Sequence, residues 1–308
     1  MTTPTMHPDQ LHTDAALVRS LLTAQLTQLS LLPITPLAST GTENAIYRLG
    51  DDLALRLPLR PGKAEQLRKI HRWLPQLAPH LPLPTPEPIA FGAPSPDYPS
   101  PWSVCRWLPG EALSERALPG VVETVEVAEE LAHFIRALWR LDPTGGPPPG
   151  AHNFQRGAPL ADRDAQTRDA IAQAAHLIDA RAATDAWEAD LGADPWPHDP
   201  VWVHGDLQPG NLLASEGRLC GVIDWGGLGV GDPATDLLPA WNLFEGSSRD
   251  AFRDALEIDA ATWARGRGLA LSVGLVALPY YQDTNPAMAR WARHMIDAAL
   301  ADHANTSG

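Results

Sequence analysis

Hydrophobic spacing divides the first part of the chain into helical and strand-like segments. Residues 15–29 carry leucines at mostly three- to five-residue spacing after an aspartate, which predicts an amphipathic, capped helix. Segments 45–49 and 53–57 are short and apolar, and the Gly-Asp-Asp sequence between them predicts a tight hairpin. Residues 63–74 return to helical spacing. The pattern therefore predicts a hairpin preceded and followed by helices.

Proline and glycine mark the next boundaries. Residues 82–101 are rich in proline, so helix is excluded and we expect an extended path with one strand at residues 89–91. A further strand is predicted from Trp102 to Leu108, and a helix over residues 121–141. The remainder is helix-rich apart from residues 201–225, which predict two short strands around a Ser-Glu-Gly-Arg turn.

Composition narrows the class of protein. The 308 residues are 44% hydrophobic and carry a net charge of −14, which fits a folded protein of about two lobes. Nucleic acid is not an expected partner, because phosphate binding needs clustered lysine and arginine. Cys105 and Cys220 are expected to be buried thiols. Since no leader and no long apolar segment is visible, we expect a cytoplasmic protein without membrane contact.

One segment carries residues suited to phosphoryl transfer. That reaction needs a carboxylate near the nucleophile and oxygen ligands that hold magnesium on the phosphates. Asp206 and Asn211 are five positions apart, and Asp224 with Trp225 and Gly226 follows at the end of a predicted strand. The order and spacing match the base, the amide ligand and the carboxylate ligand of the protein-kinase pattern.

Two neighbours of Asp206 refine this interpretation. Gly205 stands where protein kinases carry an arginine that pairs with a phosphorylated loop, so a protein substrate is disfavoured. His204 is expected to be a structural brace, hydrogen-bonded to backbone or to a carboxylate, rather than the base.

The residues resemble the aminoglycoside phosphotransferase family, which includes macrolide phosphotransferases and choline, homoserine and fructosamine kinases. The resemblance rests on His-Gly-Asp-Leu-Gln-Pro-Gly-Asn at 204–211, Ile-Asp-Trp-Gly at 223–226 and Gly-Asp-Pro-Ala-Thr-Asp-Leu at 231–237, and it extends over nearly the whole chain. It implies an α/β (α+β) fold of the two-lobed, protein-kinase-like class. Residues 1–107 would form the small antiparallel-sheet lobe, and residues 108–308 the larger, mainly helical lobe.

The resemblance also implies the function and the role of each residue. The activity would be ATP-dependent transfer of the γ-phosphate to a hydroxyl of a small molecule, with Mg²⁺ and with GTP left open as donor. Asp206 would be the catalytic base, and Asn211 and Asp224 the magnesium ligands. His204, Asp232 and Asp236 would support the catalytic loop. The implied nucleotide-binding residues are Arg56, Ser39, Thr40, Gly41, Asn44, Cys105 and Trp107.

Arg56 departs from the kinase pattern. It stands in the strand where protein kinases carry a lysine, and a guanidinium can also grip phosphate. Relatives place an acid, the partner of that cation, three residues before Trp73-Leu74-Pro75, where this chain has Ile70. Glu65 is one alternative partner, another acid is the second, and an unpaired Arg56 is the third option.

The acceptor is not specified by the sequence. Trp241, Tyr280, Tyr281 and Asp283 are candidate walls of its site, although the aromatic residues are equally suited to the core. A polycationic aminoglycoside would need converging acids, whereas a macrolide would need an apolar wall, and an amino alcohol is a third option. Monomer and homodimer are both open.

Two alternatives to an active kinase follow from the same residues. A metal-dependent hydrolase built on His204, Asp206 and Asp224 would need further histidines at short spacing. The second alternative is a catalytically weak or silent nucleotide-binding module. It is suggested by the absence of an acid at position 70, where this chain has Ile70.

Overall fold

The structure is a computed structural model that describes residues 11–37, 44–62, 64–113 and 124–306. Its helices are α1 (Ala15–Gln25), α2 (Ala64–Leu77), α3 (Val125–Trp139), α4 (Asp164–Ala174), α5 (Ala180–Leu191), α6 (Pro239–Asn242), α7 (Gly246–Leu256), α8 (Ala260–Tyr281) and α9 (Pro286–Thr306). Its strands are β1 (Ile34–Pro36), β2 (Asn44–Leu49), β3 (Leu53–Pro58), β4 (Pro88–Gly92), β5 (Trp102–Arg106), β6 (Glu111–Ala112), β7 (Val201–Val203), β8 (Leu212–Ser215), β9 (Arg218–Val222) and β10 (Gly229–Gly231).

The small lobe is a five-stranded antiparallel sheet in the order β1-β2-β3-β5-β4. The predicted hairpin is confirmed: Leu49 pairs with Leu53, and Gly50 supplies the left-handed conformation of the turn, with φ of 57°. Helix α1, capped by Asp14 as predicted, buries Val18, Leu21 and Leu22 against the sheet. The strand expected at residues 89–91 is β4.

Helix α2 follows the β2–β3 hairpin in the chain but contributes to the core of the larger lobe. It is amphipathic, but its apolar residues Ile70, Leu74 and Leu77 belong to the core of the larger lobe and not to that of the sheet. This placement gives a physical reason for Ile70, since an acid at that position would face apolar side chains.

The larger lobe is mainly helical. Helix α8 is its centre, with thirteen buried residues in 22, and it packs against α4, α5 and α9. A three-stranded sheet, β6-β8-β9, contains the hairpin predicted from the sequence, whereas β7 pairs with β10. Strand β10 was not predicted, because Gly-Val-Gly has no hydrophobic alternation.

The two-lobed α+β fold is thus confirmed. Cys105 and Cys220 are free thiols, as expected, but each is half-buried rather than buried. Within the described ranges, no helix combines the length and the apolar character needed to cross a membrane.

Candidate active site

His204 holds together the two loops that carry the predicted catalytic residues. It follows β7 directly and is fully buried, with its ring against Trp225 at 4.7 Å. Its Nε2 lies 3.1 Å from Ile223 O, and its Nδ1 lies 3.3 Å from the Asp206 N–H. A neutral ring protonated at Nε2 satisfies both contacts. Burial lowers the pKa of His204 to about 4, so the ring is neutral at pH 7.

Asp236 fixes the backbone at the start of the same loop. Its carboxylate accepts the N–H of His204 at 3.0 Å and the N–H of Gly205 at 2.8 Å. The side chain is fully buried, and this burial raises its pKa to about 6 in spite of the two hydrogen bonds. Asp236 therefore fixes the backbone of His204 and Gly205 at the start of the catalytic loop.

Gly205 is required by the backbone. Its φ is +82°, and a Cβ atom at this position would lie 2.6 Å from Gly227 O. The arginine that protein kinases carry here does not fit this chain, so its absence has a steric cause.

The Asp206 carboxylate is anchored from two sides. Asn211 Nδ2 donates to Asp206 Oδ2 at 3.0 Å and to the Asp206 carbonyl at 2.8 Å, and Gln208 Nε2 lies 3.3 Å from Oδ2. On the other side, Arg156 Nη2 lies 3.6 Å from Oδ1. Sequence reasoning missed Arg156, because it belongs to no motif and lies fifty residues upstream of Asp206.

Asp224 is the acid that pairs with Arg56. It adopts a left-handed conformation just after β9, with φ of 60°, and its Oδ1 accepts a hydrogen bond from Arg56 Nη2 at 2.9 Å. Burial raises the pKa of Asp224, but Arg56 and further hydrogen bonds outweigh burial, so the pKa lies below its ordinary value. Glu65 is exposed and Ile70 is in the core, so the ion pair crosses between the lobes instead of reaching α2.

The donor set near Asp224 fits a magnesium ion that arrives with phosphates. Asn211 uses its Nδ2 toward Asp206, which leaves its amide oxygen as a hard ligand, and Asp224 offers a carboxylate. Magnesium prefers such oxygens and retains waters and substrate phosphates. Among the described residues no group of three or more His, Cys, Asp or Glu could hold a metal.

Lys69 is a buried cation that the sequence analysis did not single out. It lies on α2, and its Nζ contacts Gly226 O at 3.0 Å, His152 O at 3.3 Å and His152 Nδ1 at 3.1 Å. Burial lowers its pKa to about 7, while Glu65 acts in the opposite direction. Helix α2 thus contacts the Asp-Trp-Gly segment through a lysine, one position before the residue where an acid was sought.

Asp232, expected to support the catalytic loop, contacts the segment that follows it and helix α8. It caps the 3₁₀ helix Pro233–Leu237 by accepting the Ala234 N–H at 2.9 Å. It also forms a two-point ion pair with Arg265 of α8, at 2.7 and 3.1 Å, which fastens the segment to the helical core.

The predicted nucleotide-binding residues lie on the small sheet. Asn44 begins β2, Arg56 is in β3 and Cys105 is in β5, whereas Ser39, Thr40 and Gly41 lie outside the described residues. The Trp107 N–H donates to Asp52 O at 2.7 Å. The Trp107 ring packs under Arg48, at 4.3 Å.

One of the candidate acceptor residues lies in the core. Trp241 is fully buried and packs on Trp263 at 4.7 Å, so it is not available as a wall of an open site. Tyr280 and Tyr281 contact each other at the C-terminal end of α8, and Asp283 is exposed just beyond. The C-terminal end of α8 lies about 18 Å along the helix axis from Leu269, which is in the middle of the same helix.

The fold and this site define a kinase-like phosphotransferase. The sequence model of the phosphotransferase enzyme family matches residues 34–269, and the chain belongs to that family. It is accordingly a small-molecule kinase, an enzyme that transfers a phosphoryl group to an alcohol.

Individual relatives agree with this classification. An aminoglycoside 3'-phosphotransferase of Escherichia coli is 28% identical over 207 residues, which cover 64% of this chain and 72% of that protein. Another, of Salmonella typhimurium, is 29% identical over 119 residues, covering 38% and 42%.

Solved structures resemble the whole fold. The GDP and kanamycin complex of APH(2")-IIia superposes with a TM-score of 0.70 at 18% identity, covering 93% of this chain and 99% of the other. The apoenzyme of macrolide 2'-phosphotransferase MphH from Brachybacterium faecium gives 0.62 at 22% identity, covering 90% and 97%. At these identities the likeness concerns the fold alone.

Proposed function

We propose that this chain is an ATP-dependent kinase that transfers the γ-phosphate to a hydroxyl group of a small molecule. The observation that carries the proposal is the position of His204, whose two ring nitrogens contact the loop of Asp206 and the loop of Asp224. The base and the metal ligand are thereby held in one rigid unit, as in-line transfer requires.

In this proposal Asp206 orients the acceptor hydroxyl and takes its proton as the oxygen attacks the γ-phosphorus, while the bond from that phosphorus to the bridging oxygen breaks and ADP leaves. Asn211 holds the Asp206 carboxylate through Oδ2, so the carboxylate does not need to reorganise during the reaction. Phosphoryl transfer requires little further covalent chemistry from the protein. Positioning of the reacting groups and electrostatic stabilisation supply most of the rate acceleration.

The remaining site residues would bind the nucleotide and its metal. Asn211 and Asp224 would hold Mg²⁺, which when bound neutralises charge on the phosphate oxygens. Arg56 is already within hydrogen-bond distance of Asp224, and its planar guanidinium suits the adjoining phosphates. The pair of Arg56 and Asp224 also weakens the alternative of a silent nucleotide-binding module. That alternative was motivated by the missing acid at Ile70, and Arg56 has a carboxylate partner in Asp224.

The test is ADP release from ATP or GTP with a panel of aminoglycosides, macrolides and amino alcohols. Asp206→Ala is compared with the wild type and with Asp250→Ala, which removes an exposed acid of α7. We expect turnover in the wild type and in Asp250→Ala, and a loss of about a thousandfold in Asp206→Ala.

Nucleotide binding, measured by calorimetry, separates catalysis from folding. Asp206→Ala should bind nucleotide as the wild type does. A wild type that releases no more ADP than Asp206→Ala with every acceptor would overturn the proposal and leave a silent nucleotide-binding module.

A further inference from the structure

A cavity of about 410 Å³ adjoins the catalytic loop on the side of the larger lobe. Its lining comes from three separate segments, at residues 154–166, 232–235 and 265–269. Arg156 belongs both to this lining and to the surroundings of Asp206, 3.6 Å from its Oδ1. A molecule in the cavity would therefore lie one side chain away from the proposed base.

The cavity is cationic although the protein as a whole is acidic. Three arginines line it, Arg156, Arg163 and Arg265, against the aspartates 162 and 232 in a chain of net charge −14. Arg265 is already neutralised by the two-point pair with Asp232, and it also donates to Asp194 O at 2.6 Å. Asp162 is exposed.

The other two arginines are incompletely satisfied. Arg163 uses Nε toward Ser272 Oγ at 2.9 Å, and in the described part of the chain no carboxylate lies within 4 Å of its guanidinium. The Nε atom of Arg156 is buried and has no hydrogen-bond partner among the described residues. Burial, and then the neighbouring charge of Arg156, lower the pKa of Arg163 to about 10, well inside the charged range at pH 7. Arg156 has the Asp206 carboxylate at 3.6 Å, whereas Arg163 faces the charge of Arg156 without a carboxylate of its own in the described ranges, so an anion in the cavity would relieve the repulsion between the two guanidinium groups.

The rim of the cavity is strained and carries an aromatic ring. Phe154 and Gln155 are consecutive left-handed residues, with φ of 57° and 60°, a conformation that costs free energy and often occurs at binding sites. The turn is fastened by Asn153 Nδ2 to Arg156 O at 3.0 Å and by the Gly157 N–H to Thr235 Oγ1 at 3.0 Å. Phe154 is 47% exposed, so a large apolar residue lies at the mouth of the cavity.

The acids that a polycationic acceptor would need lie elsewhere. Glu257 is engaged by Arg136 through both of its oxygens, at 2.6 Å each, and Asp259 caps α8 by accepting the Thr262 N–H at 2.6 Å. Neither residue lines the cavity.

We propose that the acceptor of this kinase is an anionic alcohol, whose carboxylate or phosphate is bound between Arg156 and Arg163 while its hydroxyl faces Asp206. This inference rests on the proposed function and specifies its substrate class. Phe154 would cover the ring or carbon chain that joins the two groups. A guanidinium pair binds either anion through charge-assisted hydrogen bonds, which are stronger than neutral ones.

The test uses four hexoses that share a scaffold and differ in charge: glucose, glucosamine, glucuronate and glucose 6-phosphate. We expect kcat/KM for one of the anionic sugars to exceed that for glucose by at least about tenfold, with glucosamine the poorest. The two anionic sugars distinguish carboxylate from phosphate. Equal or better use of glucosamine would overturn the proposal.

Arg163→Gln tests the residue itself, and Arg168→Gln is the matched control. Arg168 lies five positions further on, in α4, and pairs with Asp164 and Glu188 outside the cavity. The anionic preference should disappear in Arg163→Gln through a higher KM and persist in Arg168→Gln. Arg163→Lys should keep part of it, because the charge remains. A preference that survives in Arg163→Gln would contradict the assignment.

Binding of inorganic phosphate, measured by calorimetry with a saturating non-hydrolysable ATP analogue, is independent of turnover. The wild type and Arg168→Gln should bind it at least about tenfold more tightly than Arg163→Gln. Equal binding in all three proteins would overturn the anionic site even if the kinase is active. Selective binding without any ADP release would instead count against the proposed function and leave the anion site supported. If Arg163→Gln does not fold, the hexose series with the wild type decides the question.

Discussion

The catalytic loop and the arginine cavity lie side by side but are built in opposite ways. In the loop, polar groups are paired: His204 contacts two loops, Asp236 accepts two N–H groups, and Asn211 holds Asp206. In the cavity, Arg156 has a buried Nε without a hydrogen-bond partner among the described residues, and the Nε of Arg163 has only the neutral Ser272 Oγ. The loop is preorganised before any ligand binds, whereas the cavity has charge that is left for a ligand.

The difference assigns separate tasks to the two regions. A paired, rigid loop suits chemistry, because its geometry does not have to change during phosphoryl transfer. An unsatisfied cavity suits selection, because only a ligand of complementary charge relieves it. Mutations in the loop should accordingly lower kcat and stability together, and mutations in the cavity should change acceptor preference.

The largest effect on stability is expected for Gly205→Ala. The left-handed φ and the approach of Gly227 O to 2.6 Å from a Cβ should cost about 3 to 4 kcal/mol of unfolding free energy. Because the loop is rigid, kcat should fall by about a hundredfold or more. Gly210→Ala is the control in the same loop, since its Cβ would meet nothing within 4 Å. Urea unfolding measures the unfolding free energy of both variants. Equal stabilities of Gly205→Ala and Gly210→Ala would show that the loop backbone rearranges to accept a Cβ atom at residue 205.

Asp236→Ala should have the next largest effect. It leaves two buried N–H groups without an acceptor, which we expect to cost about 2 to 3 kcal/mol. Asp236→Asn keeps one carbonyl oxygen and should lose less. Urea unfolding ranks the variants, and kcat should follow the same order. If Asp236→Ala matches the wild type in both, the loop does not depend on this support.

These contrasts also explain how far the sequence could be read. The loop residues are close together along the chain, and their spacing alone predicted Asp206, Asn211 and Asp224 as neighbours. The cavity joins segments about seventy and thirty residues apart, and no motif marks Arg156 or Arg163. The pairing of Arg56 with Asp224 could not be predicted for the same reason. An ion pair between β3 and the segment after β9 depends on how the two lobes pack.

Lys69 allows a pH test of the contact between α2 and the Asp-Trp-Gly segment. Burial lowers its pKa to about 7 from 10.5, so between these values the unfolded chain binds more protons than the folded one. Stability of the wild type should therefore rise by about 2 kcal/mol from pH 7 to pH 9 relative to Lys69→Met, and the advantage should be lost as pH falls to 7. Parallel pH profiles for the two proteins would contradict this lowered pKa.

The smallest effect is expected at the far end of α8. Tyr280 is 62% exposed and lies about 16 Å along the helix from Leu269, the nearest lining residue of the cavity on that helix. Tyr280→Ala should change unfolding free energy by less than about 0.5 kcal/mol and leave the acceptor KM unaltered. Phe154→Ala is the matched aromatic control, at the rim of the cavity, and should raise KM for the acceptor without lowering stability. A higher KM in Tyr280→Ala, with Phe154→Ala unchanged, would move the acceptor site to the end of α8 and remove the cavity from the mechanism.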